Sequence, residues 1–545
     1  MGLQTLDYIV FLTYFIIVSG YGYWIYKKKR TASADSKDFF LAEGSLTWWA
    51  IGASLIASNI SAEQFIGMAG SGFAMGLAIS TYEWMAAVTL IIVATFFLPI
   101  YLKNKIYTMP QFLSQRYNAT VSTVMAVFWL LVYVFVNLSS ILYLGALAIE
   151  TITGIDFFYC MYGMAIFAIF ITLGGMKVIG YTDVIQVLVL VMGGLATTYL
   201  ALDLVANSVG GSGVWDGLGM LRQEAAEHFS MILSEGEIMI PDGEGGTRDA
   251  YMDLPGLSVL IGGMWIVNLN YWGCNQYITQ RALGADLNTG RNGLLFAAFL
   301  KLLMPIIVVL PGIAAFVLYK NGQFQQEMTN TLGHVKPDHA YPVLLNLLPT
   351  GLKGLSFAAL TAAIVASLAG KANSISTIFT LDIYHKFFNR NASEERLVGF
   401  GKIVVVVSFI IALLVAPALR NLDQAFQYIQ EYTGFISPGV FAIFALGFFW
   451  KRTTSPAALT AALLTIPLST FLKFQFPEIP FLDRMGIVFV ILVTLMVIIT
   501  LMDPKSRNNP KGLEIDRTMF KTSSSFAVGA VLIFGIVSAL YIIFW

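Results

Sequence analysis

The chain has 545 residues, 57% of them hydrophobic and 12% charged, with a mean hydropathy of +0.74 and a formal net charge of zero. That composition excludes a water-soluble monomer and names the lipid bilayer as its solvent. The balanced charge leaves no basic surplus for nucleic acid, and Cys160 and Cys274 sit in apolar runs with neither metal-ligand spacing nor a disulfide framework.

Taken in chain order, apolar runs of spanning length, roughly 17–25 residues, recur near 7–26, 48–72, 76–101, 121–150, 158–174, 182–204, 255–278, 293–319, 357–383, 400–418, 425–449, 455–471, 485–501 and 525–544. They predict about 14 transmembrane helices in an all-α polytopic membrane protein. The first run has no basic region before it and carries Lys27, Lys28, Lys29 and Arg30 after it, so it reads as a retained helix rather than a cleaved leader. With the N-terminus outside, 22 of the 32 Lys and Arg residues fall in inside loops, among them Lys37, Arg116, Lys177, Arg281 and Arg291, and 8 fall outside. This asymmetry predicts a multi-pass protein of the inner (plasma) membrane with both termini outside.

The segment 48–72 is the most unusual of these runs. Behind the interfacial pair Trp48-Trp49 it places Ser58, Asn59, Ser61, Glu63 and Gln64 at membrane depth. Unsatisfied in hydrocarbon, each polar group would cost on the order of 2–7 kcal/mol. The segment therefore faces protein, water or ligand. The spacing predicts a helix broken around Asn59–Ser61, whose unwound turn frees carbonyls for a small cation beside a polar substrate. Polar glue between packed helices is the plainer reading of any one of these residues. A second interrupted helix is predicted over 255–278, from Gly262-Gly263 and the cluster Asn268 to Asn275.

Each broken helix opens a set of five runs. Five is odd, so 48–204 and 255–449 lie in opposite membrane orientations, the mark of an inverted-repeat transporter. Residues 1–47 then form an extra helix with a cytoplasmic basic loop, and 450–545 form additional C-terminal helices. The Gly-rich, acidic segment 205–254, with Pro241 to Gly246, reads as a solvated outside linker. Within 321–356, Ala340 to Pro349 is too short to span and suits an interfacial helix or a lid.

Further intramembrane polar residues are Glu83, Asp183, Asn268, Asn270, Lys301, Ser367, Lys371, Gln427 and Gln430. Amides, carboxylates, amines and aromatic rings together suit a neutral ligand with many hydroxyls. Lys301 reads equally as a ligand donor or as half of a structural ion pair. No nucleophile motif, metal cluster or phosphate loop supports an enzyme.

The segments 57–67, Tyr82-Glu83-Trp84, 181–186, 357–365, Asp382-Ile383-Tyr384 and 424–434 resemble the solute:sodium symporters, and within them the bacterial sodium/galactose branch, kin of the sodium/glucose cotransporters. The resemblance runs over nearly the whole chain apart from 205–254. It implies a five-plus-five inverted-repeat (LeuT-like) core that couples sodium entry to uptake of a hexose-like sugar. By the same resemblance Gln64, Glu83, Asn268, Lys301 and Gln430 hydrogen-bond the sugar. Tyr271 closes the cytoplasmic side, with Met68, Tyr82 and Phe426 on the outer side. The co-transported sodium lies among Ala57, Ile60, Ala363 and Ser367, and Asp183 belongs to its route inward.

Three positions depart from the pattern. Ala86 and Ala366 stand where the family has serines, and Lys371 stands where relatives carry an apolar residue. Lys371 shares a helical row with Ala363 and Ser367, each four apart. It opens an alternative in which its ammonium replaces the ion and transport is sodium-independent or proton-coupled.

Overall fold

The computed structural model describes residues 3–28, 46–106, 108–173, 176–208, 210–241, 246–329, 333–421, 425–513 and 515–545. Lys29, Arg30, Lys37, residues 242–245 and Gln424, named above, lie outside them. Helix follows helix from Thr5 to Ile543, and the one sheet among the described residues is an antiparallel ribbon pairing Met239–Pro241 with Thr247–Asp249. Among the described residues ten helical segments are long and apolar enough to cross a bilayer, and two bent pairs raise the number to as many as twelve. The difference from fourteen has a physical source. The break in the first core helix leaves Trp48–Asn59 with 12 residues, and Phe157–Thr172 has 16, both short of a full crossing by length alone.

Leu287–Lys320 is the helix against which the core assembles. Asp286 caps its start by accepting from the amides of Asn288 and Thr289 at 3.0 and 3.1 Å. The helix packs on Trp48–Asn59, Ala69–Met75, Thr81–Ile92 and Met176–Ser208. Small residues make these approaches close: a Cβ on Gly52 would lie 2.7 Å from the Gly293 carbonyl, and one on Gly312 would lie 2.2 Å from the Ala69 carbonyl. Lipid gives no hydrophobic drive for helices to associate, so backbone proximity and van der Waals packing carry the association.

Three arginines assigned to inside loops, Arg116, Arg281 and Arg291, are buried instead. Arg116 donates to the carbonyls of Gly447, Trp450, Lys451 and Thr453, satisfying the C-terminal end of Ser437–Phe449. Arg291 donates in the same way to Ala94, Met519 and Lys521. Five N–H donors in a planar fork suit this work, and hydropathy counting does not detect it.

The segment 205–254 is not a solvated linker. It carries the helix Gly213–Glu224 and the ribbon, and buries Leu221, Phe229, Met231, Leu233, Ile238 and Ile240. His228 stacks on Phe316 at 4.0 Å and donates to the Phe73 carbonyl at 3.1 Å. Burial pushes its pKa below the ordinary value, so the ring is neutral. The Gly-rich, acidic composition masked an amphipathic helix whose Val214, Leu218 and Leu221 stand at i, i+4 and i+7. Ala340–Leu345 is a short helix, as its length demanded, but it is buried: Tyr341 meets Phe65 edge-on at 5.0 Å.

If backbone contact at Gly312 holds the core together, Gly312→Ala destabilises by roughly 1–3 kcal/mol through overpacking. Gly163→Ala, where a Cβ meets nothing within 4 Å, is the control. Thermal unfolding of the purified protein in detergent should show a lower midpoint for the first variant and an equal or higher one for the second, since Ala replaces Gly inside a helix with room for its Cβ.

Candidate functional site

The predicted break in 48–72 is present. Trp48–Asn59 stops where Ile60 turns extended, at φ −77° and ψ 105°, with its amide still bonded to the Ile56 carbonyl at 2.7 Å. Helix restarts by a reciprocal cap: the Ser61 amide donates to Gln64 Oε1 at 3.0 Å, and Ser61 Oγ accepts from the Glu63 amide at 3.1 Å. In a continuous helix those two amides would bond the carbonyls of Ala57 and Asn59. The Gln64 amide would bond that of Ile60, but it turns to the Ser61 carbonyl at 3.2 Å. Three carbonyls thus lose their helical partners in one buried turn.

Ser367, on the helix Leu352–Thr377, reaches this turn and donates to the Ser58 carbonyl at 2.8 Å. Ala57, Ile60, Ala363 and Ser367 are all buried. Carbonyls and a hydroxyl are hard oxygen donors, the kind that hold a small alkali or alkaline-earth cation. One turn back along the same half-helix, Ser54 donates to Asp183 at 2.6 Å and accepts from Arg281 Nε at 3.0 Å. Asp183 is therefore joined to the broken helix through a serine, with a buried guanidinium on the other side of that serine.

Beside the break lies a cavity lined by Asn59, Glu63, Gln64, Met68, Tyr82, Glu83, Ala86, Asn268, Tyr271, Trp272, Lys301, Lys371, Phe426 and Gln430, among others. All five expected sugar ligands and all four expected gate residues are among them. The second broken helix supplies part of this wall: Ala250–Ile261 and Gly263–Gly273 meet at 79° across Gly262. A third bend, of 51°, separates Phe426–Gly434 from Ser437–Phe449, where the sequence reading had one straight span. Asn270 bridges the second and third bends by donating to Ser437 Oγ at 3.0 Å.

The charges in the cavity are paired. Lys301 Nζ stands 2.5 Å from Glu83 Oε2, both side chains almost fully buried, and also donates to Asn59 Oδ1. The Trp272 ring lies 5.1 Å from the same ammonium. Asn59 in turn donates to the Tyr271 hydroxyl at 3.1 Å. Lys301 is thus half of a buried ion pair, and that pair lines the cavity. Gln64 Oε1 is committed to the helix cap, and Asn268 donates to the Met264 carbonyl at 3.2 Å. Gln430 lines the wall partly exposed. Tyr82 and Phe426 meet edge-on at 5.2 Å, and with Met68 they are buried.

Besides the third bend, two features escaped the sequence reading. Lys371 Nζ lies 3.7 Å from Glu63 Oε1, and Ser140 donates to that same oxygen at 3.2 Å. The two residues are 308 positions apart, so no local spacing links them. Arg281 is 1% exposed and works beside Asp183, although it follows the span and was counted as a loop charge. Its place in the amphipathic helix Gln276–Leu283 was the available signal.

The sequence profile of the sodium:solute symporter family matches residues 39–465. The chain belongs to the sodium:solute symporter family. It is therefore a multi-pass membrane transporter that couples sodium to a solute. It is 46% identical to the sodium/glucose cotransporter of Vibrio parahaemolyticus over 553 aligned positions, covering 100% of this chain and 99% of that protein. It is 35% identical to human sodium/myo-inositol cotransporter 2, covering 84% of this chain and 68% of that one. Among solved structures, a substrate-bound, outward-open sodium-coupled sialic acid symporter superposes with a TM-score of 0.76 at 22% identity, covering 92% of this chain and 98% of that one. This similarity gives the symporter its fold, the LeuT-like arrangement.

Leaving a buried charge without its partner costs about 3–5 kcal/mol. Lys301→Met should therefore lower the stability of the symporter by about that amount in sugar-free detergent solution, and adding Glu83→Gln should restore much of the loss. Denaturant or thermal unfolding of the two variants against the parent checks this, and equal stability of all three would show that the pair is not coupled.

Proposed function

We propose that this symporter imports a hexose-like sugar, driven by sodium entry, through alternating access at the cavity beside the broken helix. The observation that carries the proposal is the wall itself: uncharged amides of Gln64, Asn268 and Gln430, the Lys301–Glu83 pair, and aromatic rings at Tyr82, Tyr271 and Phe426 surround one space. Amides and ion-paired groups exchange hydrogen bonds with hydroxyls, and ring faces pack on the C–H faces of a sugar. The names of the sodium/glucose and sodium/myo-inositol relatives support the same class of ligand.

In this reading Gln64, Glu83, Asn268, Lys301 and Gln430 bind the sugar, while Met68, Tyr82 and Phe426 close the outer path and Tyr271 the inner one. Sodium sits between the carbonyls of Ala57, Ile60 and Ala363 and the hydroxyl of Ser367, and Asp183 lies on its exit route. The core comprises inverted repeats 48–204 and 255–449 within fourteen spans, with both termini outside the inner membrane. Each sodium entering down a negative membrane potential contributes about 2.3 kcal/mol per 100 mV. The alternative, in which the Lys371 ammonium stands in for sodium, finds less support: its ammonium is drawn to Glu63 in the cavity wall, while Ser367 faces the break.

Uptake of labelled glucose, galactose and myo-inositol into proteoliposomes under an inward sodium gradient tests the proposal. At least one hexose should accumulate with sodium and not with choline. Accumulation that is equal in choline would remove the coupling, and accumulation of myo-inositol alone would remove the hexose.

Tyr271 ties the inner wall to Asn59 through one hydrogen bond. Tyr271→Ala should keep sugar binding and speed sugar exchange from preloaded vesicles by several-fold. Slower exchange would show that the ring does not gate.

A further inference from the structure

Of the two buried ion pairs in the cavity wall, Lys301–Glu83 is closed at 2.5 Å, whereas Lys371–Glu63 stands at 3.7 Å, beyond direct hydrogen-bond distance. Both Lys371 and Glu63 line the cavity that Asn59, Glu83 and Lys301 also line. They come from different elements: Lys371 from Leu352–Thr377, one turn past Ser367, and Glu63 from the turn that restarts the broken helix. Ser140, from a third helix, fixes the carboxylate by donating to Oε1 at 3.2 Å.

A buried ion pair is weak grounds for stability, since an apolar pair of like volume often serves as well. A pair held open on the wall of a ligand cavity, with its carboxylate anchored by a serine, offers something an apolar pair lacks. A hydroxyl can accept from an ammonium and donate to a carboxylate at once. The 3.7 Å separation presents that donor and acceptor side by side to a ligand hydroxyl lying against both. Ala86, elsewhere on the same wall, contributes no hydroxyl of its own.

We propose that Lys371 and Glu63 form a specificity subsite that receives one hydroxyl of the transported sugar. The proposal rests on the sugar reading above and adds to it the residues that select among sugars. An ammonium one turn from Ser367 on a shared helix also places the subsite next to the ion, so sugar selection and sodium binding draw on the same two elements.

The test measures sodium-dependent binding of glucose and galactose, and of the complete set of monodeoxy analogues of each, by isothermal titration of the full-length protein. Wild type, Lys371→Met and the double variant Lys371→Met/Glu63→Gln are compared, the double variant carrying no unpaired buried charge. In wild type the analogue lacking the received hydroxyl should bind about tenfold or more weaker than its parent sugar, as for a hydrogen bond to a charged group. In both variants the parent should weaken to the level of that analogue, while the analogue binds as it does to wild type. A purely structural pair would behave differently: the single variant would lose affinity for every sugar alike, and the double variant would recover it with wild-type discrimination. Either that pattern or unchanged parent affinity in both variants overturns the proposal. Absence of hexose binding in wild type would instead refute the sugar reading, and the subsite with it.

Discussion

Backbone groups inside a bilayer have no water to turn to, and an unpaired carbonyl there is costly. The turn at Asn59–Ser61 meets that constraint by using it. Gln64 and Ser61 satisfy the amides that restart the helix, and Ser367 donates to the Ser58 carbonyl. Asn59 is held by Lys301 and holds Tyr271. What remains is a set of carbonyls displaced from helical pairing and gathered beside one hydroxyl, in a place where a small cation is the natural partner. The polar cavity, the ion pairs and the inner aromatic wall are all attached to this turn by one or two bonds.

The surrounding helices explain how such a turn persists. Close backbone contacts at Gly52, Gly293 and Gly312 pin both halves of the broken helix to Leu287–Lys320, the helix that also carries Lys301. Position along one helix therefore sets both the packing of the break and the ammonium that stabilises it. The same logic recurs at Leu352–Thr377, where Ser367 and Lys371 lie one turn apart and serve the ion side and the cavity side respectively. In the proposed reading ion and sugar meet two elements in common, so that a movement closing one site would also change the other.

Much of this was legible in the residues alone. Five polar residues within one apolar span favoured a broken turn over polar glue between packed helices, and the break lies where Asn59 and Ser61 placed it. The ligand and gate positions came from the family resemblance of the motifs that carry them, and the structure places all of them on one cavity. What the sequence hid was pairing at a distance. Gln64 also caps the restarted helix through its Oε1 while lining the cavity, a second role that the residue type alone does not announce. Glu63 and Lys371, or Arg116 and the carbonyls near Gly447, are joined by tertiary folding that periodicity and charge counting do not encode. The bend between Gly434 and Ser437 was missed because a single Gly and Pro438 sit inside a continuous apolar run, and the packed segment 205–254 because Gly-rich composition signals permissive backbone without saying what it packs against.

The central claim is that the turn at Asn59–Ser61, closed by Ser367, is where sodium binds. Sodium titration of the purified protein in the absence of sugar, at constant ionic strength against choline and read by intrinsic tryptophan fluorescence, tests it directly. The account predicts saturable sodium binding in wild type and an affinity at least tenfold weaker in Ser367→Ala. Equal sodium affinity in the two proteins would contradict it.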